Sequence, residues 1–296
     1  MGTSPIRATL KRVVPTQAAR TLRRSLTYMK RMTAWSRLML VASGRTPLDA
    51  EVLRRSMFRA PRDMLRDLDV WRDPQLVGDA DIHVRGLGTF AIRGGSDDLG
   101  HAQPYAHASL LGAIRRFVRP GDVAVDAGAN IGVVTALLAQ EVGPSGRVFS
   151  IEMMRDTAAR LRRNVELNGL QCVTVIEAAL SATAGETVMA EVAEGCFGQA
   201  SIAAGANPGK AVRRVPVLTT TLDQITADVD AISLIKLDLE GAELQAIAGA
   251  EKTLQRTKAV VFESWSGDGG KPAAALGRAG FLVSQIDGRN FLACRA

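Results

Sequence analysis

The sequence is poor in cysteine and in aromatic residues, and it has no long apolar run. The three cysteines among 296 residues are widely spaced and form no C-x-x-C pair, which argues against a disulfide framework and a zinc site. No segment approaches the run of about 18 apolar residues that crosses a bilayer, and no apolar stretch with a small-residue cleavage site marks a signal peptide. We therefore expect a cytoplasmic protein with reduced cysteines and no metal site of recognisable spacing.

Acidic residues are missing from the first 45 positions, which hold ten of the 37 Lys and Arg residues. From about residue 20 to 42, apolar and basic side chains fall on opposite sides of a helical projection. The apolar side holds Leu22, Leu26, Met29, Met32, Trp35, Met39 and Leu40, and the basic side Arg20, Arg23, Lys30, Arg31 and Arg37. Residues 1–46 are therefore predicted to form a basic amphipathic arm. It either lies, through residues 1–45, on an anionic membrane surface or a partner, or packs on its own domain; a transit peptide is a third interpretation.

The rest of the chain divides into a lead-in segment and a region of alternating strands and helices. Residues 47–120 are predicted to contain a helical stretch with breaks at Pro47, Pro61 and Pro74, then a hairpin over 81–92 and a helix over 106–118. Residues 121–296 are predicted to form one domain. Its predicted strands are 123–127, 147–151, 173–177, 233–239, 259–263, 281–286 and 290–294, and its helices 131–142, 154–168, 242–255 and 272–279.

This alternation predicts an α/β fold with a mostly parallel seven-stranded sheet, helices on both faces and an antiparallel C-terminal hairpin. The alternation is interrupted by an insertion, residues 179–217, in which two predicted strands flank a Gly/Ala-rich loop. The insertion is predicted either to form a flap over the substrate or to add edge strands to the sheet.

A nucleotide-site motif follows the first strand of this region. The strand ends at Asp126 and turns through Gly128, Asn130 and Gly132 into a helix, so that the backbone can approach a ligand at the helix N-terminus. The next strand ends at Glu152, where a carboxylate can accept both hydroxyls of a ribose. The acid at Asp126 disfavours phosphate and the loop lacks G-x-G-x-x-G, so these five residues are predicted to bind a cationic nucleoside, S-adenosylmethionine, rather than NAD.

A second constellation predicts the catalytic side of the site. Lys236, Asp238 and Glu240 share one face of a predicted interior strand, where charges must pair or open onto a cleft. We predict Asp238 as the base or orienting carboxylate, with Lys236 and Glu240 as its neighbours; an ion pair of purely structural value is the alternative. Glu263 ends the next parallel strand and His107 precedes the domain, and both are further candidates to orient or deprotonate the substrate. A metal held by Asp238 and Glu240 stays open at this point.

These motifs resemble those of the FkbM family of S-adenosylmethionine-dependent methyltransferases. The segments that carry the resemblance are Asp126–Gly132, Ile151–Glu152, Asn164, Asn168, Thr221–Asp223, Ile235–Glu243 and Val261–Glu263. The resemblance covers roughly residues 80–295 and implies the class I methyltransferase (Rossmann-like) fold. It also implies O-methylation of a hydroxyl on a sugar, a glycan or lipid-linked saccharide, or a secondary metabolite.

Two other functions remain as alternatives. The basic arm is compatible with a nucleic-acid methyltransferase, but the chain lacks an Asn/Asp-Pro-Pro-Tyr/Phe segment and a Pro-Cys nucleophile, and its core is slightly acidic. A non-catalytic interaction protein that kept the fold is the other alternative. We therefore expect a small-molecule or glycan acceptor, do not expect nucleic acid, and leave open peripheral contact with the inner membrane surface.

Overall fold

The computed structural model describes residues 16–68, 73–193, 196–203, 212–264 and 266–295. Its strands are β1 (Ala42–Gly44), β2 (Ala80–Val84), β3 (Gly88–Ile92), β4 (Val123–Ala127), β5 (Arg147–Ile151), β6 (Val173–Ile176), β7 (Ala179–Leu180), β8 (Thr187–Ala193), β9 (Cys196–Ser201), β10 (Val212–Thr220), β11 (Ile232–Leu237), β12 (Thr257–Glu263), β13 (Leu282–Gln285) and β14 (Asn290–Cys294). Its helices are α1 (Thr16–Met39), α2 (Pro47–Met64), α3 (Asp98–His101), α4 (Ala108–Phe117), α5 (Val133–Val142), α6 (Arg155–Leu167), α7 (Leu222–Ile225), α8 (Glu243–Ala248), α9 (Glu251–Gln255) and α10 (Gly270–Arg278).

In the described part of the chain, seven strands form the main sheet in the order β13-β14-β12-β11-β4-β5-β6. β14 is antiparallel to both of its neighbours, and the pairs from β12 to β6 are parallel. Successive residues point to opposite faces, so Ala124 and Leu234 enter one apolar core while Val125 and Ile235 enter the other. The predicted α/β fold and its C-terminal hairpin are confirmed.

The lead-in segment and the end of the predicted arm, which supplies β1, form a small antiparallel sheet, β1-β2-β3, that α6 holds in place. Asn164 accepts a hydrogen bond from the Ala91 N–H (2.7 Å) and donates to the Ile131 carbonyl (2.7 Å). Asn168 accepts from the Thr89 N–H (2.7 Å) and donates back to the Thr89 carbonyl (2.6 Å). The two asparagines therefore satisfy the backbone of the edge strand β3, as a strand without a second neighbour requires.

The C-terminal half of α1 packs on the domain. Trp35 and Leu38 are buried in the first core. Arg31 was predicted to lie on the basic side of the helix, together with Arg23, Lys30 and Arg37, but unlike these three residues it is buried. Its guanidinium is buried and donates to the carbonyls of Met64 (3.0 Å) and Arg66 (2.6 Å) at the end of α2, where a cation satisfies carbonyls that have no helical partner.

Residues 1–15 of the predicted arm lie outside the described residues. Within the described part, none of the helices combines the length and hydrophobicity needed to cross a membrane.

Several predicted boundaries differ from the structure. β1, whose Ala-Ser-Gly sequence has no strand pattern, was not predicted. Pro61 was predicted to break a helix but lies inside α2, because packing of the neighbouring Ala60 and Met64 outweighs one lost hydrogen bond. The helix predicted over 242–255 is divided into α8 and α9 at Gly249, whose Cα approaches the Ser181 carbonyl so closely that an added Cβ would lie 2.2 Å from its oxygen.

The insertion folds as a separate sheet, so the alternative of edge strands that extend the main sheet is wrong. β10 pairs with β8 along its length and with β7 at its end, and β9 pairs with β8. β9 was not predicted because its sequence is rich in small residues. Its apolar residue Ala200 packs against Met154 and Val192, and the Ser201 hydroxyl donates to the Glu240 carbonyl (2.8 Å). The insertion is therefore tied to the end of β11.

Candidate active site

In the turn after β4, residues 128–132, the backbone lies close to the ends of the strands on either side of β4. Gly128 and Ala129 both donate to the Ile151 carbonyl (3.0 and 2.9 Å), and Asp238 donates its N–H to the Ala127 carbonyl (3.0 Å). Gly128 has φ +78, and a Cβ at this position would lie 1.9 Å from the Asp238 carbonyl oxygen. Only glycine combines this conformation with this contact.

Lys236 connects the ends of the two strands. Its Nζ lies 3.1 Å from Asp238 Oδ2 and 3.6 Å from Asp126 Oδ1, and it donates to the Gly128 carbonyl (3.2 Å). Burial alone would lower the pKa of Lys236, but the charges of Asp238 and Asp126 outweigh burial and raise it. Lys236 is therefore a fixed cation between two carboxylates.

Two residues predicted to contact the cofactor lie behind the turn instead. Asp126 is fully buried, accepts from the Thr135 hydroxyl (2.7 Å) and faces Lys236. Gly132 has φ +90, and a Cβ there would lie 2.5 Å from Leu161 Cδ1. Neither residue lines the cavities described below. Asp126 neutralises Lys236, and Gly132 allows α5 to pack closely on α6.

Asn130 and Glu152 do line cavities, Asn130 the main cavity and both residues the small side cavity described below. Asn130 has φ +50, unusual for a non-glycine residue, and its N–H donates to Glu152 Oε2 (3.0 Å) while Met154 donates to Glu152 Oε1 (2.8 Å). Burial raises the pKa of Glu152, although the two N–H groups oppose this. Each carboxylate oxygen keeps a lone pair for a further donor, as recognition of ribose hydroxyls requires.

Two cavities meet at this turn. The main cavity has a volume of about 880 Å³. It is lined by all five predicted catalytic residues: Lys236, Asp238, Glu240, Glu263 and His107. The side cavity is narrower and is lined by Glu152, with apolar walls that include Leu180 and Ile202. Gly128, Asn130, Gly198 and Asp238 line both cavities, so the predicted cofactor residues and catalytic residues adjoin.

The side chains that line the junction have the chemistry that a cationic nucleoside requires. Within the described residues, the buried Asn130 Oδ1 accepts no hydrogen bond, so it can receive one from a ligand. The side cavity combines apolar walls with the Glu152 carboxylate, and the junction carries the negative charge of Asp238. Apolar walls suit a base, and a carboxylate suits a sulfonium cation.

Three carboxyl groups of the main cavity have different pKa values. Burial would raise the pKa of Asp238, but Lys236 holds it below the usual range. Glu240, beyond the end of β11 and at φ +52, has a pKa raised to about 7 by burial and by repulsion from Asp238, Glu263 and Glu243. Burial and the Asp238 charge raise the pKa of Glu263. β11 ends two residues earlier than predicted, so Glu240 reaches the cavity through this strained turn and not by strand alternation.

Both histidines of the main cavity lie on the segment that leads into the domain. His107 ends a 3₁₀ turn and donates from Nε2 to the His101 carbonyl (2.8 Å). Its pKa is lowered by burial and by Lys236. His101 was not among the predicted site residues. The spacing Asp97-x-x-x-His101 on a short helix after a Gly-Gly loop was the signal that could have identified it. Among the described residues, no group of three His, Cys, Asp or Glu side chains is arranged to hold a metal ion.

The insertion contributes one wall of the main cavity through β9. Gly198 and Gln199 line it, and a Cβ on Gly198 would lie 2.6 Å from His101 Nε2 and 2.9 Å from Asn130 Nδ2. This position favours the flap interpretation of the insertion.

Comparison with known proteins agrees with this geometry. A family model described as the methyltransferase FkbM domain matches residues 126–275. A protein-L-isoaspartate O-methyltransferase from Aeropyrum pernix is 32% identical over 80 residues, which are 26% of this chain and 31% of that protein. The chain thus spans about a third of the length of that curated relative.

Two solved structures are similar to this chain at low identity. A SAM-dependent O-methyltransferase from Thermotoga maritima has 15% identity and a TM-score of 0.42, over 78% of this chain and 82% of that one. A methyltransferase FkbM from Methylobacillus flagellatus has 19% identity and a TM-score of 0.38, over 66% and 53%. No substrate is inferred from these likenesses. Because the family model covers half of the chain, the protein belongs to the FkbM family of methyltransferases and uses S-adenosylmethionine.

Proposed function

We propose that this methyltransferase transfers its methyl group to a hydroxyl of an uncharged, hydroxyl-rich small molecule or glycan, which binds in the main cavity. The observation that carries the proposal is the set of carboxyl groups along that cavity, Asp238, Glu240 and Glu263, next to the Gly128 turn. Carboxylates accept hydrogen bonds from hydroxyls. An ionised carboxylate also repels an anionic substrate.

The same charges argue against the nucleic-acid alternative. Phosphate backbones are bound by Lys and Arg, whereas Lys236 of this cavity already faces Asp126 and Asp238. This distribution of charge supports a hydroxyl acceptor of neutral charge.

The residues divide into two roles. Bound S-adenosylmethionine supplies an electrophilic methyl group on a cationic sulfur. Glu152 would accept ribose hydroxyls, and Gly128 and Asn130 would present backbone and amide groups to the cofactor. Because Lys236 holds Asp238 ionised, Asp238 is a weak proton acceptor and a good hydrogen-bond acceptor. We therefore assign Asp238 to orientation of the acceptor hydroxyl.

Replacement of Glu152 by alanine is expected to weaken S-adenosylmethionine binding about 10- to 100-fold, because a charged hydrogen-bond acceptor contributes about 1.5–3 kcal/mol. Isothermal calorimetry measures the affinity. The control is Glu251→Ala, the same substitution at an exposed residue. Equal affinities in the two variants would remove Glu152 from the cofactor site.

Replacement of Asp238 by asparagine is expected to lower turnover about 100-fold, because a substrate hydroxyl that is poorly oriented reacts about 100-fold more slowly. Cofactor affinity should stay within about tenfold, because the Gly128 turn and Glu152 are unchanged. Single-turnover kinetics beside calorimetry separates the two. A variant that turns over normally but binds the cofactor poorly would make Asp238 a cofactor ligand.

The acceptor class is tested with methyl-labelled S-adenosylmethionine and three acceptor pools: neutral glycosides and polyols, phosphorylated sugars, and RNA. Treatment with alkali distinguishes methyl ethers, which survive, from methyl esters, which release methanol. We expect alkali-stable label in the neutral pool. Label confined to RNA, or label released by alkali, would overturn the proposal.

A further inference from the structure

His101 and Asp97 form a pair at the mouth of the main cavity that the roles above do not use. His101 ends α3 and lines the cavity, with 42% of its side chain exposed. Its Nε2 lies 3.6 Å from Asp97 Oδ2. Asp97 is 8% exposed, and within the described residues neither of its carboxylate oxygens accepts a hydrogen bond. A buried carboxylate without a donor is costly unless a cation faces it, and His101 is placed to be that cation.

The loop that carries this pair is held rigidly. Arg93 donates from Nε and Nη2 to the two oxygens of the fully buried Asp98 (2.7 Å each) and from Nη1 to the Thr157 hydroxyl (3.1 Å). Ser96 donates to the Arg93 carbonyl (2.9 Å). A bidentate pair of this kind fixes orientation as well as distance. The His101 ring therefore faces the cavity from a loop that these hydrogen bonds hold in place.

Charges around His101 favour its protonated form. Burial disfavours the cation, but Asp97, Asp73 and Asp238 outweigh burial and raise the pKa of His101. The other charged or titratable groups that face it are Glu240 and His107. For His107, burial and Lys236 lower the pKa. Of the two histidines, His101 is the one that can take up a proton and keep it.

We propose that His101, oriented by Asp97, accepts the proton of the substrate hydroxyl that is methylated. The proposal rests on the hydroxyl acceptor proposed above. The hydroxyl proton passes to an imidazole nitrogen as the oxygen bonds to the methyl carbon, and the electron pair of the broken C–S bond stays on sulfur. Asp97 balances the imidazolium that forms, which is the arrangement of a histidine–aspartate pair in other base-catalysed reactions.

The test combines a titration with kinetics. The chain has three histidines, so variants with glutamine at each of them assign the imidazole NMR signals of the free protein. Asp97→Asn should lower the pKa of His101. Since the base must be neutral, wild-type turnover should rise with pH through the His101 pKa, and Asp97→Asn should move that rise to lower pH.

His101→Gln should lower turnover about 10²–10⁴-fold while its calorimetric affinity for S-adenosylmethionine stays within threefold; His83→Gln is the control. If His101→Gln does not fold by circular dichroism, His101→Asn replaces it. Normal turnover without His101, or an unchanged His101 pKa in Asp97→Asn, overturns the assignment while O-methylation stands. Absence of hydroxyl methylation by the wild type overturns both.

A second, independent observation concerns α1. Leu22, Leu26 and Met29 follow one another at spacings of four and three, so they form one stripe, and they are 56%, 53% and 59% exposed. Trp35 was predicted to share the side of Leu22 and Leu26, but it lies with Leu38 on the opposite face of the helix, which packs on the domain. Among the described residues, none covers this apolar stripe, while the domain occupies the other side of the helix.

Charge selects what can cover this stripe. Arg23, Lys30 and Arg37 are exposed beside it, and the first acidic residue of the chain is Asp49. We infer that this stripe lies on an anionic phospholipid surface, because apolar residues with flanking Lys and Arg on an exposed helix face match the interfacial region of such a bilayer.

Sedimentation with vesicles tests this on the full chain. The wild-type protein should bind vesicles that contain phosphatidylglycerol, and this binding should weaken as the salt concentration rises. It should not bind vesicles of pure phosphatidylcholine. The double variant Leu22→Ser/Leu26→Ser should lose at least tenfold in partitioning, while Leu282→Ser, at a residue 67% exposed on β13, should not. No binding by wild type, or equal binding by the double variant, would refute the assignment.

Discussion

Replacement of Gly128 by alanine is expected to reduce S-adenosylmethionine affinity by about 100-fold or more, equivalent to about 2.7 kcal/mol. The added methyl group would lie 1.9 Å from the Asp238 carbonyl oxygen, so the ends of β4 and β11 would have to separate. That movement displaces Asp238 and the N–H groups of the turn at the junction of the two cavities. Calorimetry measures the affinity, and circular dichroism verifies the fold.

Gly86→Ala is the matched control for this variant. Gly86 has φ +83, close to the +78 of Gly128, but nothing lies within 4 Å of an added Cβ. Both variants therefore carry the cost of a left-handed alanine, and only one carries the clash. Affinity of Gly86→Ala should stay within threefold of wild type. Equal losses in both variants would mean that the close contact at Gly128 is not what the cofactor site requires.

Replacement of Asp98 by asparagine is expected to lower the free energy of unfolding by about 3–5 kcal/mol, because it removes one member of a buried ion pair and leaves the charge of the other. Asp98 is fully buried and Arg93 is 9% exposed, with two hydrogen bonds of 2.7 Å between them. Asparagine would also direct an amide donor at the guanidinium. Urea unfolding followed by circular dichroism gives the value.

Glu51→Gln is the control for the loss of a salt bridge at the surface. Glu51 pairs with Arg54 on α2, and both side chains are substantially exposed. Because water screens this pair, it contributes little to the free energy of unfolding. This variant should unfold at the urea concentration of wild type. If Asp98→Asn also unfolds there, the pair with Arg93 does not hold the loop that carries Asp97 and His101.

The cofactor side of the site was largely predictable because its signals are local. A strand that ends in a small-residue turn, followed by a strand that ends in an acid, specifies where Gly128, Asn130 and Glu152 lie at one edge of a parallel sheet. The prediction for Asp126 and Gly132 placed them at the ligand, whereas they lie behind the turn. Sequence spacing indicates that a residue belongs to such a turn, but not which way its side chain points.

The acceptor side was predicted only in part, because it is assembled from segments far apart in the chain. Asp238 and Glu263 follow from the parallel strands, whose carboxyl ends meet at one edge. His101 comes from the lead-in segment and Gly198 from the insertion, and the two contact each other only in the folded protein. No local pattern encodes that contact, and the small residues of β9 hide its strand character.

The sequence by itself determined the α/β sheet, its order of strands and helices, the cofactor turn and the cofactor, because periodicity and glycine positions act over a few residues. The tertiary structure alone decided the pKa values of the carboxyl groups, the pairing of Lys236 with two aspartates, the burial of Arg31 and the place of His101. These properties depend on burial and on charges brought together from distant segments, and both arise only when the chain has folded.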